Sequence, residues 1–93
     1  MTGDDRIRKI LESRSTLERL AAIEHERWAS WQQYVHDHGE QQPDGSLIVP
    51  ADLVSHWNTQ IKTPYSELSE QEQESDRKQV RKYLPTIIDE LTR

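Results

Sequence analysis

The stretch Pro64-Tyr65-Ser66-Glu67-Leu68-Ser69-Glu70-Gln71-Glu72, running on to Asp76-Arg77, reads as a tight turn that feeds a long helix. Pro64 fixes its own φ and has no N–H to donate, so it ends whatever precedes it. Ser69 stands three residues before Glu72. At that spacing a hydroxyl and a carboxylate cap each other's backbone N–H groups. Glu70 and Glu72 place negative charge at the positive end of the helix dipole. Beyond the cap, Val80, Leu84, Ile87, Ile88 and Leu91 recur at steps of three and four, which is one face of a helix from Glu70 to about Thr92. Pro85 lies inside that helix, removes one backbone hydrogen bond and predicts a kink near Arg81–Leu84.

Working towards the N-terminus, Pro50 suits the first position of a helix over about 51–61, with Leu53, Val54, Trp57 and Ile61 as its face. Before it, Gln42-Pro43-Asp44-Gly45-Ser46 is turn chemistry and Leu47-Ile48-Val49 is a short β-favouring run. With Glu40–Gln42 that run forms either a small hairpin or an extended segment. Gly39 takes the glycine position just past a helix end. The helix it closes runs from about Thr16 to His38, capped by Ser15 with Glu18 as its reciprocal partner. Its stripe is Leu17, Leu20, Ala21, Trp28, Trp31 and Val35. Glu24 falls within that stripe and needs a partner, because a carboxylate on an apolar face is costly unless paired; either Arg77 is that partner, or the helix is rotated slightly and Glu24 reaches solvent. Residues 4–14 read as a shorter helix with Ile7, Ile10 and Leu11 inward. The expected fold is therefore mainly α: one small domain over 1–93, of three to four helices, with a short extended segment or hairpin near 40–49. Residues 1–14 form its N-terminal helix or arm.

Composition narrows the function. Of 93 residues only 32% are apolar, none is Phe, and three Trp and three Tyr must supply much of any core. A chain this small is marginal alone. There is no Cys, hence no disulfide framework and no thiolate chemistry. No apolar run approaches the ~20 residues of a membrane span, and the acidic start Met1–Asp5 lacks the apolar region of a signal peptide, so a cytoplasmic protein away from membranes is expected. A net charge of −5 disfavours non-specific binding to a nucleic acid polymer. His25-Glu26 has no second His at the fourth position, and His36-x-His38 has no third ligand nearby, so neither a metal nor a cofactor is expected. No nucleophile–base pair or glycine-rich phosphate loop is present, and no catalytic residue is assigned.

Two motifs carry a family resemblance. Pro64-Tyr65-x-Glu67-Leu68-Ser69-Glu70-x-Glu72-x-x-x-Asp76-Arg77 resembles the second signature of the ryanodine-receptor (RyR) domain family, and His25-Glu26-Arg27-Trp28 resembles the first. They stand in the family's order and together span about residues 17 to 92. The Gly-Trp-x-Tyr-Gly stretch that usually follows the first motif is absent. Tyr34, the Pro43–Ser46 turn and a helix carrying Trp57 stand in its place. A single free-standing copy is similar to the small versions encoded by bacteria and their phages.

The resemblance implies a non-catalytic module that binds or sequesters a small anionic ligand, a nucleotide or a nucleotide-derived signal. Trp28 matches the family's aromatic element; Trp31 would stack beside it and Tyr65 would close the same cleft. Arg77, with Lys78 or Arg81, would engage phosphates, which guanidinium and ammonium groups bind well. Glu24 and His25, with Asp76, complete the set. The residues also admit a different reading. Aromatic stripes at helical spacing mostly pack against other helices, and a basic helix face is ordinarily solvated and paired at helical spacing. On that reading the chain is a protein-interaction module, either an adaptor or a homodimer that buries Trp31 or Trp57.

Overall fold

The computed structural model describes residues 2–93, so Met1, the first residue of the expected domain, lies outside it. The chain is mainly α. Its elements in order are α1 (Gly3–Leu11), α2 (Arg14–His38), β1 (Glu40–Gln41), β2 (Leu47–Ile48), α3 (Ala51–Lys62), a 3₁₀ turn (Tyr65–Glu67) and α4 (Glu70–Thr92). They divide into two compact units: the residues up to Arg27 with Ser75–Arg93, and Trp28–Glu74. The divisions fall within α2 and α4.

In the first unit, Thr2 caps α1 by accepting from the Asp5 N–H at 3.2 Å. The helix stops at Leu11, short of the expected residue 14, and the cap of α2 is Ser13 rather than Ser15. The Ser13 hydroxyl accepts from the Thr16 N–H at 3.2 Å. The Thr16 hydroxyl in turn donates to the Ile10 carbonyl at 2.8 Å and accepts from Ser13 at 3.1 Å. This tertiary corner selects between the two serines. Glu18, freed from capping, pairs with Arg14 at 2.8 Å. Beyond the corner, α2 and α4 run antiparallel: Arg19 reaches Asp89 at 2.8 Å and Glu90 at 2.6 Å, and Glu24 meets Tyr83 further along.

The faces that α2 and α4 turn to each other are not the expected stripes. On α2, Thr16 is fully buried and Arg19, Leu20 and Ile23 are half-buried, whereas Leu17 and Ala21 are exposed. On α4, Glu90 is buried and Gln79, Tyr83, Thr86 and Ile87 are half-buried, whereas Val80, Leu84 and Ile88 are exposed. Each helix is turned by roughly a quarter of a revolution from the expectation, since neighbouring positions lie ~100° apart. Ion pairs decide the orientation: a carboxylate such as Glu90 can be buried only beside its guanidinium. Helix α4 continues through Pro85 to Thr92.

In the second unit the hairpin form holds, with Glu40 opposite Ile48 and Gln41 opposite Leu47 in an antiparallel pair. Gly45 has φ +90, the left-handed conformation that glycine adopts freely, and Asp44 accepts from the Ser46 N–H at 2.9 Å. Gly39 stands just past the last residue of α2, as expected, though without a left-handed backbone. A Cβ there would lie 3.4 Å from the Leu47 Cβ. Pro50 precedes α3 at its N-cap, one position before the expected one. The start of α4 follows the sequence: Ser69 accepts from the Glu72 N–H at 3.2 Å and donates to its carboxylate at 2.8 Å. Gln73 adds a bond to the Tyr65 carbonyl at 2.8 Å.

Thr16→Val keeps the shape at the corner but leaves the Ile10 carbonyl without this donor. A loss of about 1–3 kcal/mol is expected, read as a fall in melting temperature by circular dichroism.

Candidate functional site

The expected site residues divide between the two units. Glu24, His25, Arg77, Lys78 and Arg81 lie in the first, and Trp28, Trp31 and Tyr65 in the second.

In the first unit Glu24 is half exposed, and its guanidinium partner is Arg27, three residues on along α2. Arg27 Nε donates at 3.1 Å, one guanidinium N–H donates to the second carboxylate oxygen, and the Tyr83 hydroxyl donates from α4. Of the two expectations for Glu24, the pair with Arg77 is replaced by Arg27, and the rotated helix that opens the carboxylate to water is the one present. Helical spacing explains the difference, because residues three apart are neighbours on the helix surface. The Arg27 and Tyr83 bonds hold Glu24 far below the usual carboxylate range, at about 2. The same contacts raise Arg27. The bond to Glu24 also raises the Tyr83 hydroxyl, because its proton is held between two oxygens. Among the phosphate-clamp candidates, Lys78 and Arg81 are exposed and Arg77 is half-buried.

Nearer the chain ends, Arg19 draws down the pKa of both Asp89 and Glu90. Arg93 flanks the pair, 3.3 Å from Asp89. No sequence motif pointed to this group. Arg19 and Glu90 are the single charges on faces of mixed polarity beside the apolar stripes, and no spacing in the sequence links them.

In the second unit Trp28 is 54% exposed and Tyr65 48%. Trp31 stacks on Tyr34 with ring centroids 5.6 Å apart and planes 14° from parallel. Tyr34 stacks on His38 at 4.0 Å, and Trp57 from α3 meets Trp31 edge-on at 5.4 Å. These are the offset and edge geometries that aromatic quadrupoles favour. The His38 Nδ1 also lies 2.8 Å from the Tyr34 carbonyl, which fixes the imidazole at the helix end. A depression of about 310 Å³ beside α2 and the hairpin is lined by Gln33, His36, Asp37, Gln41, Gly45 and Leu47. A smaller one of about 170 Å³ lies between α3 and the start of α4, with His56, Gln60 and Glu72 among its walls.

Among the described residues, no group of three or more His, Cys, Asp or Glu side chains is placed to hold a metal ion. No helix of the described chain is long and apolar enough to cross a membrane. No family model, curated protein or solved structure matches the chain.

The depressed carboxylate sets an acid dependence. A group whose pKa is lower folded than unfolded stabilises fully above its unfolded value and loses that contribution as pH falls through its folded value. Glu24 therefore contributes above about 4.5 and loses its contribution progressively towards about 2. Acid titration followed by circular dichroism is expected to show a shallower stability loss over that window in Glu24→Gln than in the parent. Equal slopes would contradict the Arg27–Tyr83 clamp.

Proposed function

We propose that the chain is a protein-interaction module that completes its core by pairing with a second copy of itself. One observation carries the reading: among the described residues no apolar side chain is buried, while thirteen large ones are at least 40% exposed. Soluble domains that stand alone rarely leave large contiguous apolar patches open.

The first unit supplies such a patch. Its α2 and α4 segments are antiparallel, so residues one step further round from the contact face on each helix fall on the same side of the pair. Those residues are Leu17 and Ala21 on α2, and Val80, Leu84 and Ile88 on α4, all exposed. Two helices with one open apolar side make half of a four-helix arrangement. A two-fold axis lets the same patch serve both subunits.

Light scattering coupled to size exclusion, over a concentration series, tests the reading. The expected mass is twice 11.0 kDa at the upper end. Ile88 is 58% exposed, so Ile88→Glu leaves the fold of one chain intact, and it should weaken pairing by about 30-fold or more. A parent that stays at 11.0 kDa throughout, or an Ile88→Glu variant that pairs as the parent does, overturns the proposal.

A nucleotide-binding role of the RyR type is the second reading. It is favoured by the openness of Trp28, which is 54% exposed rather than sealed in a core. Isothermal titration with a panel of adenine and cyclic nucleotides is expected to give heat that Trp28→Ala abolishes. Absence of heat with every nucleotide at protein concentrations well above micromolar would dispose of this role.

A further inference from the structure

We propose that the aromatic face of α2 in the second unit, Trp31 with Tyr34 and His38, is a docking surface for an arginine-bearing segment of another protein. The inference concerns a different unit from the self-pairing face and does not depend on it.

Trp31 and Tyr34 are 45% and 43% exposed even though their rings stack on each other. They are therefore rigid, half-open aromatic surfaces held in place before any partner arrives. Trp and Tyr in such settings are the residues that dominate protein interfaces, together with Arg.

Charge selects the occupant. Residues 28–74 hold eight Asp and Glu and a single Lys or Arg, Lys62, a formal charge of −7. The remaining residues hold nine acidic and eleven basic groups, a formal charge of +2. The net charge of the protein is thus confined to the unit that carries the aromatic face.

Several of these carboxylates are engaged by neutral donors. Asp37 accepts from Gln33 at 2.8 Å, Asp44 from the Ser46 hydroxyl at 2.6 Å, and Glu72 from Ser69 at 2.8 Å. Hydrogen bonds of this kind orient a carboxylate without neutralising it. Asp37 lies three residues from Tyr34 and one from His38, beside the ring stack on the same helix.

A carboxylate beside an aromatic ring suits a guanidinium better than an ammonium. Tyr34 has Trp31 on one side and His38 on the other, so the planar cation would stack at an end of this column, which Tyr34 holds together, while its N–H fork reaches the carboxylate. A flexible ammonium cannot do both. The favourable potential over the whole unit would also speed the encounter with a basic partner.

All three tryptophans, Trp28, Trp31 and Trp57, lie in this unit, so intrinsic fluorescence reports on it directly. The test titrates the full chain with a short oligoarginine peptide, and with oligolysine and a neutral glycine–serine peptide of equal length. The expected result is saturable quenching by oligoarginine, about three- to fivefold tighter than by oligolysine, with no change from the neutral peptide. Tyr34→Leu should remove the preference for arginine while leaving a residual charge-driven affinity equal for both cationic peptides. Asp37→Asn, which removes the charge and keeps the side chain's shape, should weaken oligoarginine binding by a similar factor.

Equal affinity for arginine and lysine in the parent overturns the proposal, as does an arginine preference that survives Tyr34→Leu. Fluorescence that ignores the peptides but shifts on diluting the protein would assign the surface to a second copy instead, and would also overturn it. Light scattering reads the self-pairing face separately, so failure of either idea is distinguishable from failure of the other.

Discussion

Arg19, shared between Asp89 and Glu90, is the contact on which the arrangement of the first unit depends. Glu90 is only 7% exposed, and a carboxylate that far from water is tolerable only with its charge compensated. The guanidinium on α2 is therefore obliged to face α4, and the helices are locked in rotation about their own axes. Everything else in the unit follows from that rotation. Thr16 is carried into the corner against α1, Tyr83 is brought onto Glu24, and Leu17, Val80, Leu84 and Ile88 are turned away from the seam. A polar seam of this kind specifies one register sharply but contributes little through the hydrophobic effect, which in small domains is the main favourable term.

The outward apolar side chains are then a consequence rather than an accident. A helix pair joined by ion pairs has apolar residues left over, and these are available for contacts outside the chain. The second unit achieves the same end differently. There Trp31 and Tyr34 of α2 pack with the half-buried Trp57 of α3 but keep nearly half of their own surface open. The two units thus present unlike surfaces, one aliphatic and one aromatic within an acidic field, and unlike surfaces select unlike partners.

The sequence was legible where the determining forces are local. The Ser69–Glu72 reciprocal cap, the Pro43–Ser46 turn and the helices all depend on residues a few positions apart, and all are present; the sequence left open whether the segments flanking the turn pair, and they do. It misled where the choice is tertiary. Ser13 and Ser15 are equally good caps by composition, and only the bond from Thr16 to the Ile10 carbonyl separates them. The apolar stripes of α2 and α4 are periodic, but each helix also carries a second stripe of mixed polarity about 100° away, and that is the one buried. Periodicity alone could not rank them, because the buried stripe includes Arg19 and Glu90. For the candidate site, the need of Glu24 for a partner was legible, and so in principle was Arg27 at helical spacing. Tyr83, fifty-nine residues away, had no local signal.

The absence of any buried apolar side chain among the described residues also has a thermodynamic signature. The heat-capacity increment of unfolding comes from apolar surface newly exposed to water. A chain whose apolar side chains are only partly covered has a smaller increment, and a flatter stability curve, than a domain of its length with a sealed core. Its stability would change little on cooling, and its denaturant dependence would be shallow for its length. Such a protein melts over a broader range than a sealed-core domain of its length.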